Sequence, residues 1–221
     1  ASVLGREAIE QAPRVAVVRC NGTPEFRPRT NRYDGAPTCA IAHSLYTGEG
    51  GCPHGCLGEG DCVAVCTFDA IHMNPLTDLP EVDDDKCTAC GACVDACPRN
   101  IIELRKKNKK DRKIYVSCIN EEKGAVAKKN CSVACIGCSK CFKVCPYEAI
   151  TMENFKAFID SDKCKLCRKC VHSQVVRQPG RAGLGARLAG PIVHSARQRE
   201  LFLSHGLPLL SSGHQTFSGV G

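Results

Sequence analysis

The chain has 221 residues and a formal net charge of +7, and 19 of its residues are Cys. It has no Trp, 7 Phe and 4 Tyr, so aromatic burial supplies little of a core, and cysteine chemistry is expected to cross-link the chain. A transmembrane helix is not expected, because it needs about 18 consecutive uncharged apolar residues and the sequence contains no such run. A signal peptide is not expected either, since residues 1–10 mix Arg6, Glu7 and Glu10 into what should be an apolar run.

Groups of Cys recur along the chain at regular spacings. The first, over residues 52–66, reads C-x3-C-x5-C-x3-C, and the second, over 87–98, reads C-x2-C-x2-C-x3-C-P. The second pattern returns over 135–146 and begins again over 164–170, where it stops at its third Cys. Such self-similarity indicates an internal repeat. The cysteines of these motifs are Cys52, Cys56, Cys62, Cys66, Cys87, Cys90, Cys93, Cys97, Cys135, Cys138, Cys141, Cys145, Cys164, Cys167 and Cys170.

The compact spacing is typical of [4Fe-4S] clusters. Three thiolates two residues apart on a tight loop can converge on three irons of one cluster, while the fourth Cys, beside Pro, reaches a neighbouring cluster. This crossed pattern predicts three complete sets of ligands. They are Cys52, Cys56, Cys62 and Cys97 in the first set, Cys66, Cys87, Cys90 and Cys93 in the second, and Cys145, Cys164, Cys167 and Cys170 in the third.

A further set of ligands is incomplete. Cys135, Cys138 and Cys141 should share a cluster, but Gln174 stands where the crossed pattern needs the fourth Cys. That cluster is expected to be absent, to hold three irons, or to be completed by a thiol from elsewhere. The cysteines outside the motifs are interpreted as small buried hydrophobic residues, with metal ligation as the alternative. They are Cys20, Cys39, Cys118 and Cys131.

Disulfide and zinc sites are the alternatives to iron–sulfur clusters. A disulfide scaffold is typical of short secreted chains, whereas this chain has an odd number of Cys and triplets whose spacing suits pairing poorly. Structural zinc usually takes two separated C-x2-C pairs rather than three Cys followed by x3-C-P. Iron–sulfur ligation is therefore the favoured interpretation, and it implies a reducing, cytoplasmic compartment.

The motifs predict an α+β fold of ferredoxin-like 2[4Fe-4S] units, the second incomplete, with short helices and small antiparallel hairpins around the clusters. Each cluster loop should lead into a helical turn at the Pro and then into a strand. Alternating apolar residues over 113–118 predict a half-buried strand, and residues 150–159 predict a hairpin. The predicted domains are an N-terminal segment over 1–45, the first unit over 46–112, the second, truncated unit over 113–170, and an atypical tail over 171–221.

Residues 105–113 carry seven positive charges in nine positions. A solvated hairpin loop is the favoured interpretation of this segment. The alternative is a docking patch that steers an acidic ferredoxin or flavodoxin in a salt-dependent way.

Segments outside the compact motifs resemble a known family. Residues 15–22 read VAVVRCNG, 27–35 read RPRTNRYDG and 51–62 read GCPHGCLGEGDC. The compact motifs are similar to bacterial 2[4Fe-4S] ferredoxins, and residues 15–170 as a whole resemble the B subunit of the Rnf complex, the membrane-bound ferredoxin:NAD oxidoreductase. The resemblance implies an electron-transfer subunit of an ion-translocating oxidoreductase, without side-chain catalysis, which accepts electrons from soluble ferredoxin or flavodoxin and passes them to other subunits.

The chain also departs from this family at both ends. The family subunit normally opens with a hydrophobic anchor and a further cluster-binding segment, so the chain is expected to be a fragment, soluble by itself, from the cytoplasmic face of the bacterial membrane. From residue 171 onward there is no Cys, Lys or Asp, and this tail is expected to be disordered or the product of a shifted reading frame. A soluble polyferredoxin, or the ferredoxin-like subunit of a hydrogenase or dehydrogenase, is the alternative, against which residues 15–35 argue.

The net charge takes another meaning once clusters are included. Of the formal +7, residues 171–221 contribute five Arg and one Glu, which leaves +3 on residues 1–170. An oxidised cluster with four thiolates carries about −2, so three clusters would make that part of the chain acidic. A nucleic-acid partner is therefore not expected.

Overall fold

The computed structural model describes residues 12–45, 48–107, 112–171 and 176–177. Within these ranges every strand pairs antiparallel with one other strand, β1 with β4, β2 with β3, β5 with β8 and β6 with β7. The expected α+β architecture of short helices and small antiparallel hairpins is confirmed. The helices are α1 (Cys39–Leu45), α2 (Asp61–Ala64), α3 (Ala92–Asp95), α4 (Gly124–Asn130) and α5 (Lys140–Lys143). The strands are β1 (Arg14–Val18), β2 (Ile71–Asn74), β3 (Leu79–Val82), β4 (Ile102–Lys106), β5 (Tyr115–Val116), β6 (Ile150–Glu153), β7 (Lys156–Ile159) and β8 (Val176–Arg177).

Strand β1 is buried on both of its faces. It pairs with β4 along its full length, so part of the predicted N-terminal segment lies in a sheet of the first ferredoxin-like unit. Ala16 joins the core of that unit. Val15 and Val17, on the opposite face, pack against Tyr115 of β5. β1 therefore connects the first unit to the strand that opens the second.

The strand expected over residues 113–118 is present as the short strand β5, but the half-buried alternation expected for it is wrong. Ile114 and Val116 are buried as expected. Tyr115 and Ser117, on the other face, are buried as well. The reason is that β1 covers the face on which Tyr115 lies, so neither face of this strand is left to solvent.

The turn expected at the Pro of the cysteine motifs is present, and a short helix that was not expected precedes it. The backbone N–H of Asn100 donates to the carbonyl of Cys97 at 3.0 Å, across Pro98. Each of α2, α3 and α5 spans the third Cys of its motif and ends before the fourth. The residue before each helix has a left-handed backbone, with φ 83° at Gly60, 91° at Gly91 and 57° at Ser139. This residue turns the chain out of the loop, so that the helix begins one residue before the third Cys.

Both ends of the basic segment 105–113 are buried, so the solvated loop expected there is wrong for these two residues. Arg105 is 4 % exposed and Lys113 is 6 % exposed. Lys113 forms an ion pair with Asp84, and Arg105 donates hydrogen bonds to two main-chain carbonyls. Residues 108–111 lie outside the described residues.

The predicted tail lies outside the described residues, apart from residue 171 and strand β8. Among the residues that are described, no helix combines the length and the apolar character needed to cross a membrane.

The hairpin expected over residues 150–159 is confirmed as β6 and β7. Ile150 and Ile159 face the core and are 2 % and 1 % exposed. The turn between the two strands places non-glycine residues in the left-handed region, with φ 45° at Asn154 and 59° at Phe155.

This turn gives a prediction about stability. Two-residue hairpin turns with positive φ favour Gly, because a left-handed backbone costs other residues about 1–2 kcal/mol. We expect Phe155→Gly to raise the free energy of unfolding by about 1 kcal/mol, measured by denaturant titration of the iron-loaded protein. Phe155→Ala keeps the strained Cβ and is the control. An equal gain from both substitutions would contradict the explanation by backbone strain.

Candidate metal centres

Cysteines line three cavities of similar size in the described part of the chain. The cavities are partly open to solvent and comprise about 370, 340 and 330 Å³ of space free of protein atoms, and each has four Cys in its wall. Cavity A is lined by Cys66, Cys87, Cys90 and Cys93, cavity B by Cys39, Cys56, Cys62 and Cys97, and cavity C by Cys20, Cys52, Cys118 and Cys131.

Cavity A brings together the set that the crossed pattern groups as the second cluster. Cys66 comes from the first motif and the other three cysteines from the second. The backbone N–H of Ala70 donates to the Sγ of Cys66 at 3.4 Å. Burial raises the pKa of the Cys93 thiol, and the neighbouring Cys87 and Cys90 thiols raise it further. The remaining wall is largely apolar, with Ala16, Phe68, Ile71, Val82 and Leu104.

Cavity B differs from the expected grouping by one residue. Cys56, Cys62 and Cys97 line it as the crossed pattern expects. The fourth Cys in its wall is Cys39 from α1, whereas Cys52 lines cavity C. The structure therefore separates Cys52 from the three cysteines with which the spacing groups it.

The position of Cys39 follows from the contact between α1 and α2. The Asp61 carboxylate, at the start of α2, accepts hydrogen bonds from the backbone N–H groups of Cys39 at 2.9 Å and Ala40 at 3.1 Å. These bonds satisfy two donors at the first turn of α1 that have no partner within the helix. Burial, followed by the neighbouring Cys39 and Cys97 thiols, raises the pKa of Cys62 to about 12.

Cavity C is lined by Cys52 and by three cysteines that lie outside the motifs. Cys20 follows β1, Cys118 follows β5 and Cys131 follows α4. Cys131 is buried and the other two are partly buried, but each lines the cavity rather than only a packed core. Burial raises the pKa of Cys118 to about 12. Burial also raises the pKa of Cys131, and the nearby Cys20 and Cys52 thiols contribute to the rise.

The cysteines of the second unit pack around its apolar core. Burial, together with the neighbouring Cys164 thiol, raises the pKa of Cys170 to about 11, and Cys141 contributes as well. Gln174, which stands where the fourth ligand of the Cys135 set is expected, lies outside the described residues. Cys138 and Cys167 are exposed. The cysteines in contact with the core are Cys135, Cys141, Cys145, Cys164 and Cys170.

The backbone of the compact cysteine loops fits an iron–sulfur cluster. In each loop the residues before and after the second Cys have positive φ. A left-handed backbone costs a non-glycine residue about 1–2 kcal/mol, so its recurrence at matching positions needs a reason. Successive backbone N–H groups in such turns form concavities that bind anions, including iron–sulfur clusters. The paired residues are Ala89 and Gly91, Gly137 and Ser139, and Leu166 and Arg168.

Burial raises the pKa of the Cys56, Cys62, Cys93 and Cys118 thiols, so these four thiols are protonated when no metal is bound. The thiolate is the metal ligand, so binding displaces protons. Within the described ranges, no three His, Cys, Asp or Glu side chains are placed to hold a single metal ion. The thiols stand around cavities, which is the arrangement that a cube of four irons and four sulfides needs.

The motif spacing does not reveal the positions that the structure gives to Cys39 and to the three unmatched cysteines of cavity C. These residues lie on α1 or directly after β1, β5 and α4, and only the folded chain brings those elements together. One signal was present in the sequence. The first spacing of the loose motif is x3 rather than x2, which indicates that Cys52 and Cys56 need not bind the same cluster.

Comparisons with known proteins agree with this chemistry. Residues 86–148 match the 4Fe-4S double cluster binding domain, and residues 51–101 and 134–173 match the 4Fe-4S dicluster domain. A ferredoxin of Alicyclobacillus acidocaldarius subsp. acidocaldarius is 40 % identical over 63 residues, which make up 78 % of that protein and 28 % of this chain. The chain belongs to the ferredoxin family of iron–sulfur proteins.

Over a longer stretch, the chain is similar to one component of a larger complex. It is 44 % identical over 171 residues to the B subunit of the Na(+)-translocating ferredoxin:NAD(+) oxidoreductase complex of Acetobacterium woodii, covering 77 % of this chain and 50 % of that protein. It is 38 % identical over 170 residues to the B subunit of the ion-translocating oxidoreductase complex of Methanosarcina acetivorans, covering 77 % and 63 %. The expected resemblance to the B subunit of the Rnf complex is confirmed. The chain spans between half and 63 % of the length of these two relatives.

Proposed function

We propose that this chain is the iron–sulfur electron-transfer part of a ferredoxin:NAD oxidoreductase coupled to ion translocation. The observation that carries the proposal is the convergence of four cysteines on each of cavities A and B, all of them except Cys39 lying within residues 51–101, which match the dicluster family. The similarity over 171 residues to a component of such a complex supports the choice of complex. The role is electron transfer, with no bond made or broken at a side chain.

The proposed ligands follow the cavities rather than the spacing alone, so they depart from the crossed pattern at Cys39 and Cys52. Cys135, Cys138 and Cys141 would hold a further cluster that lacks a fourth ligand among the motif cysteines. The complete sets are Cys66, Cys87, Cys90 and Cys93 in cavity A and Cys39, Cys56, Cys62 and Cys97 in cavity B, with Cys145, Cys164, Cys167 and Cys170 in the second unit grouped by their spacing.

A bound [4Fe-4S] cluster supplies one-electron chemistry. The residues around each cavity set the potential through burial and through hydrogen bonds to sulfur. At cavity A, the apolar wall excludes water and the Ala70 N–H donates to a ligand sulfur. At cavity B, Arg99 is 7 % exposed and donates to the carbonyls of Gly55 at 2.7 Å and Cys52 at 3.3 Å. Its charge opposes the negative charge of a ligated cluster.

The proposed partners are those implied by the relatives. A reduced ferredoxin or flavodoxin would donate electrons at the cytoplasmic face of the bacterial membrane, and other subunits of the complex would accept them. We assign neither role to the parts of the chain that lie outside the described residues.

Metal analysis and reduction of the full chain test this proposal. After anaerobic reconstitution, the three complete sets should hold about twelve irons and as many sulfides per chain. Fewer than about eight irons, or zinc in stoichiometric amount, would contradict iron–sulfur ligation. Reduced ferredoxin should then bleach the visible absorption of the protein. If dithionite reduces the protein but ferredoxin does not, the proposed electron donor is wrong, while the proposed clusters are supported.

A further inference from the structure

We propose that cavity C holds an additional [4Fe-4S] cluster, ligated by Cys20, Cys52, Cys118 and Cys131. The inference goes beyond the proposed function, which needs only cavities A and B and the second unit. It also gives three cysteines outside the motifs a role other than packing.

The four cysteines meet although they lie on separate segments of the chain. Cys20 and Cys52 are 32 positions apart in sequence, and Cys118 and Cys131 come from beyond the first unit. Cys52 and Cys131 are 6 % and 7 % exposed. Cavity C has nearly the same volume as cavities A and B, so it offers the same space to the same number of thiols.

Hydrogen bonds to sulfur already surround cavity C. The Nδ2 of Asn120 donates to the Sγ of Cys52 at 3.3 Å, and Asn120 is 1 % exposed. The backbone N–H of Cys56 donates to the Sγ of Cys20 at 3.5 Å. Donors of this kind orient thiolate ligands and tune the potential of an iron–sulfur cluster. The same side chain is held in place by Glu122, to whose Oε2 it donates at 3.1 Å and from whose backbone N–H it accepts at 2.7 Å.

Polar groups in the wall of cavity C also point to an anionic occupant. Ser117 is 2 % exposed and lines the cavity, and its hydroxyl oxygen has no hydrogen-bond partner among the described residues. The Nε of Arg27, in the same wall, also has no hydrogen-bond partner among the described residues. The buried Arg19 lines this cavity as well. A buried donor without a partner costs about 1–3 kcal/mol. A cluster with four thiolates carries about −2, and Arg27 would offset part of this charge, while Arg19 is already paired with Glu103 at 3.2 Å.

Cavity C lies between the cysteines of the two ferredoxin-like units. Cys56, which lines cavity B, is also the residue whose N–H contacts Cys20 of cavity C. On the other side, Cys118 and Cys135, the first cysteine of the second unit's motif, pack against the same apolar core. A cluster in cavity C would therefore pass one electron at a time between the units, being reduced as its neighbour is oxidised. With it, all 19 cysteines of the chain belong to a ligand set.

Removal of two ligands tests the proposal on the full chain. The double variant Cys118→Ala and Cys131→Ala should lose about four irons and four sulfides per chain after reconstitution, and Mössbauer spectra should show one cluster fewer with the others unchanged. Ser132→Ala, at the exposed neighbour of Cys131, is the control and should keep all its iron. Unchanged iron in the double variant would overturn the proposal, as would loss of one zinc instead of iron.

A charge placed beside the cluster gives a second test that leaves every ligand in place. Asn120→Asp brings a carboxylate to the Sγ of Cys52, so one midpoint potential should shift to a more negative value while the iron content stays the same. Asn154→Asp adds the same charge at the exposed turn of the β6–β7 hairpin and should leave every midpoint potential unchanged. If no potential shifts in Asn120→Asp, the proposal is overturned even where the double variant fails to fold.

These readouts are independent of the electron donor. A chain that ferredoxin cannot reduce would still show the iron count, the Mössbauer spectra and the potentials. Failure of the proposed function and failure of this inference are therefore distinguishable.

Discussion

Replacing Cys39 by Ala is expected to damage one [4Fe-4S] cluster and no other. Cys39 lines cavity B with three motif cysteines, and the Asp61 carboxylate holds its backbone there. With three ligands left, the cluster either sheds one iron or dissociates, so the iron content should fall by about one to four per chain. Iron analysis and a redox titration followed by EPR measure the loss.

Cys52→Ala is the informative comparison for this variant, because the two residues line different cavities. The two variants should lose signals with different midpoint potentials. Loss of the same signal from both would show that Cys39 and Cys52 share a cluster and would contradict the grouping drawn from the cavities. Ala40→Ser, at the exposed next position, is the control and should leave the iron content unchanged.

Replacing Arg105 by Met is expected to lower the free energy of unfolding by about 1–3 kcal/mol. Arg105 is 4 % exposed, and its guanidinium forms an ion pair with Glu103 at 2.8 Å. It also donates to the carbonyl of Ile114 at 3.3 Å and to the carbonyl of Ile159. Met fills a similar volume but leaves the carboxylate and both buried carbonyls without this donor, which is where the loss arises.

Lys106→Met is the matched control for Arg105→Met. Lys106 is the adjacent residue, and its side chain is 36 % exposed in an ion pair with Asp162. Exposed pairs contribute about 0–1 kcal/mol, so this variant should unfold close to the parent protein in denaturant titrations. A similar loss from both variants would show that charge alone, rather than the buried hydrogen bonds of Arg105, stabilises the contact between β4 and the second unit.

The local features of this protein were predictable because their physical causes are local. Three cysteines at x2 spacing predict a cluster loop, since the loop itself brings the thiols together. The hairpin of β6 and β7 followed from its sequence for the same reason. The turn at the Pro followed as well, but the short helix ahead of it was not predicted, although the left-handed residue that starts it, such as Gly91 with φ 91°, is also a local feature.

Features that depend on contacts between distant segments were not predictable in this way. The alternation of Ile114 and Val116 indicated a strand with one solvent-exposed face, but Val15 and Val17 of β1 cover that face. The charges at the ends of the basic segment indicated solvent exposure, but Arg105 and Lys113 are buried. In both cases a partner from another part of the chain changed the environment that the local pattern implied.

By itself, the sequence determined the chemistry of this protein. The number and spacing of its cysteines identify iron–sulfur clusters, two repeated units and a family of electron carriers, because a cluster loop carries most of its ligands within a few residues. Only the tertiary structure decided which cysteines line the same cavity. Cys39 joins cavity B and Cys52 joins cavity C, because α1 packs at Asp61 and the ends of β1, β5 and α4 converge beside Cys52. The ligands of one cluster must lie close together in space, and the spacing along the chain fixes their distances only within one loop.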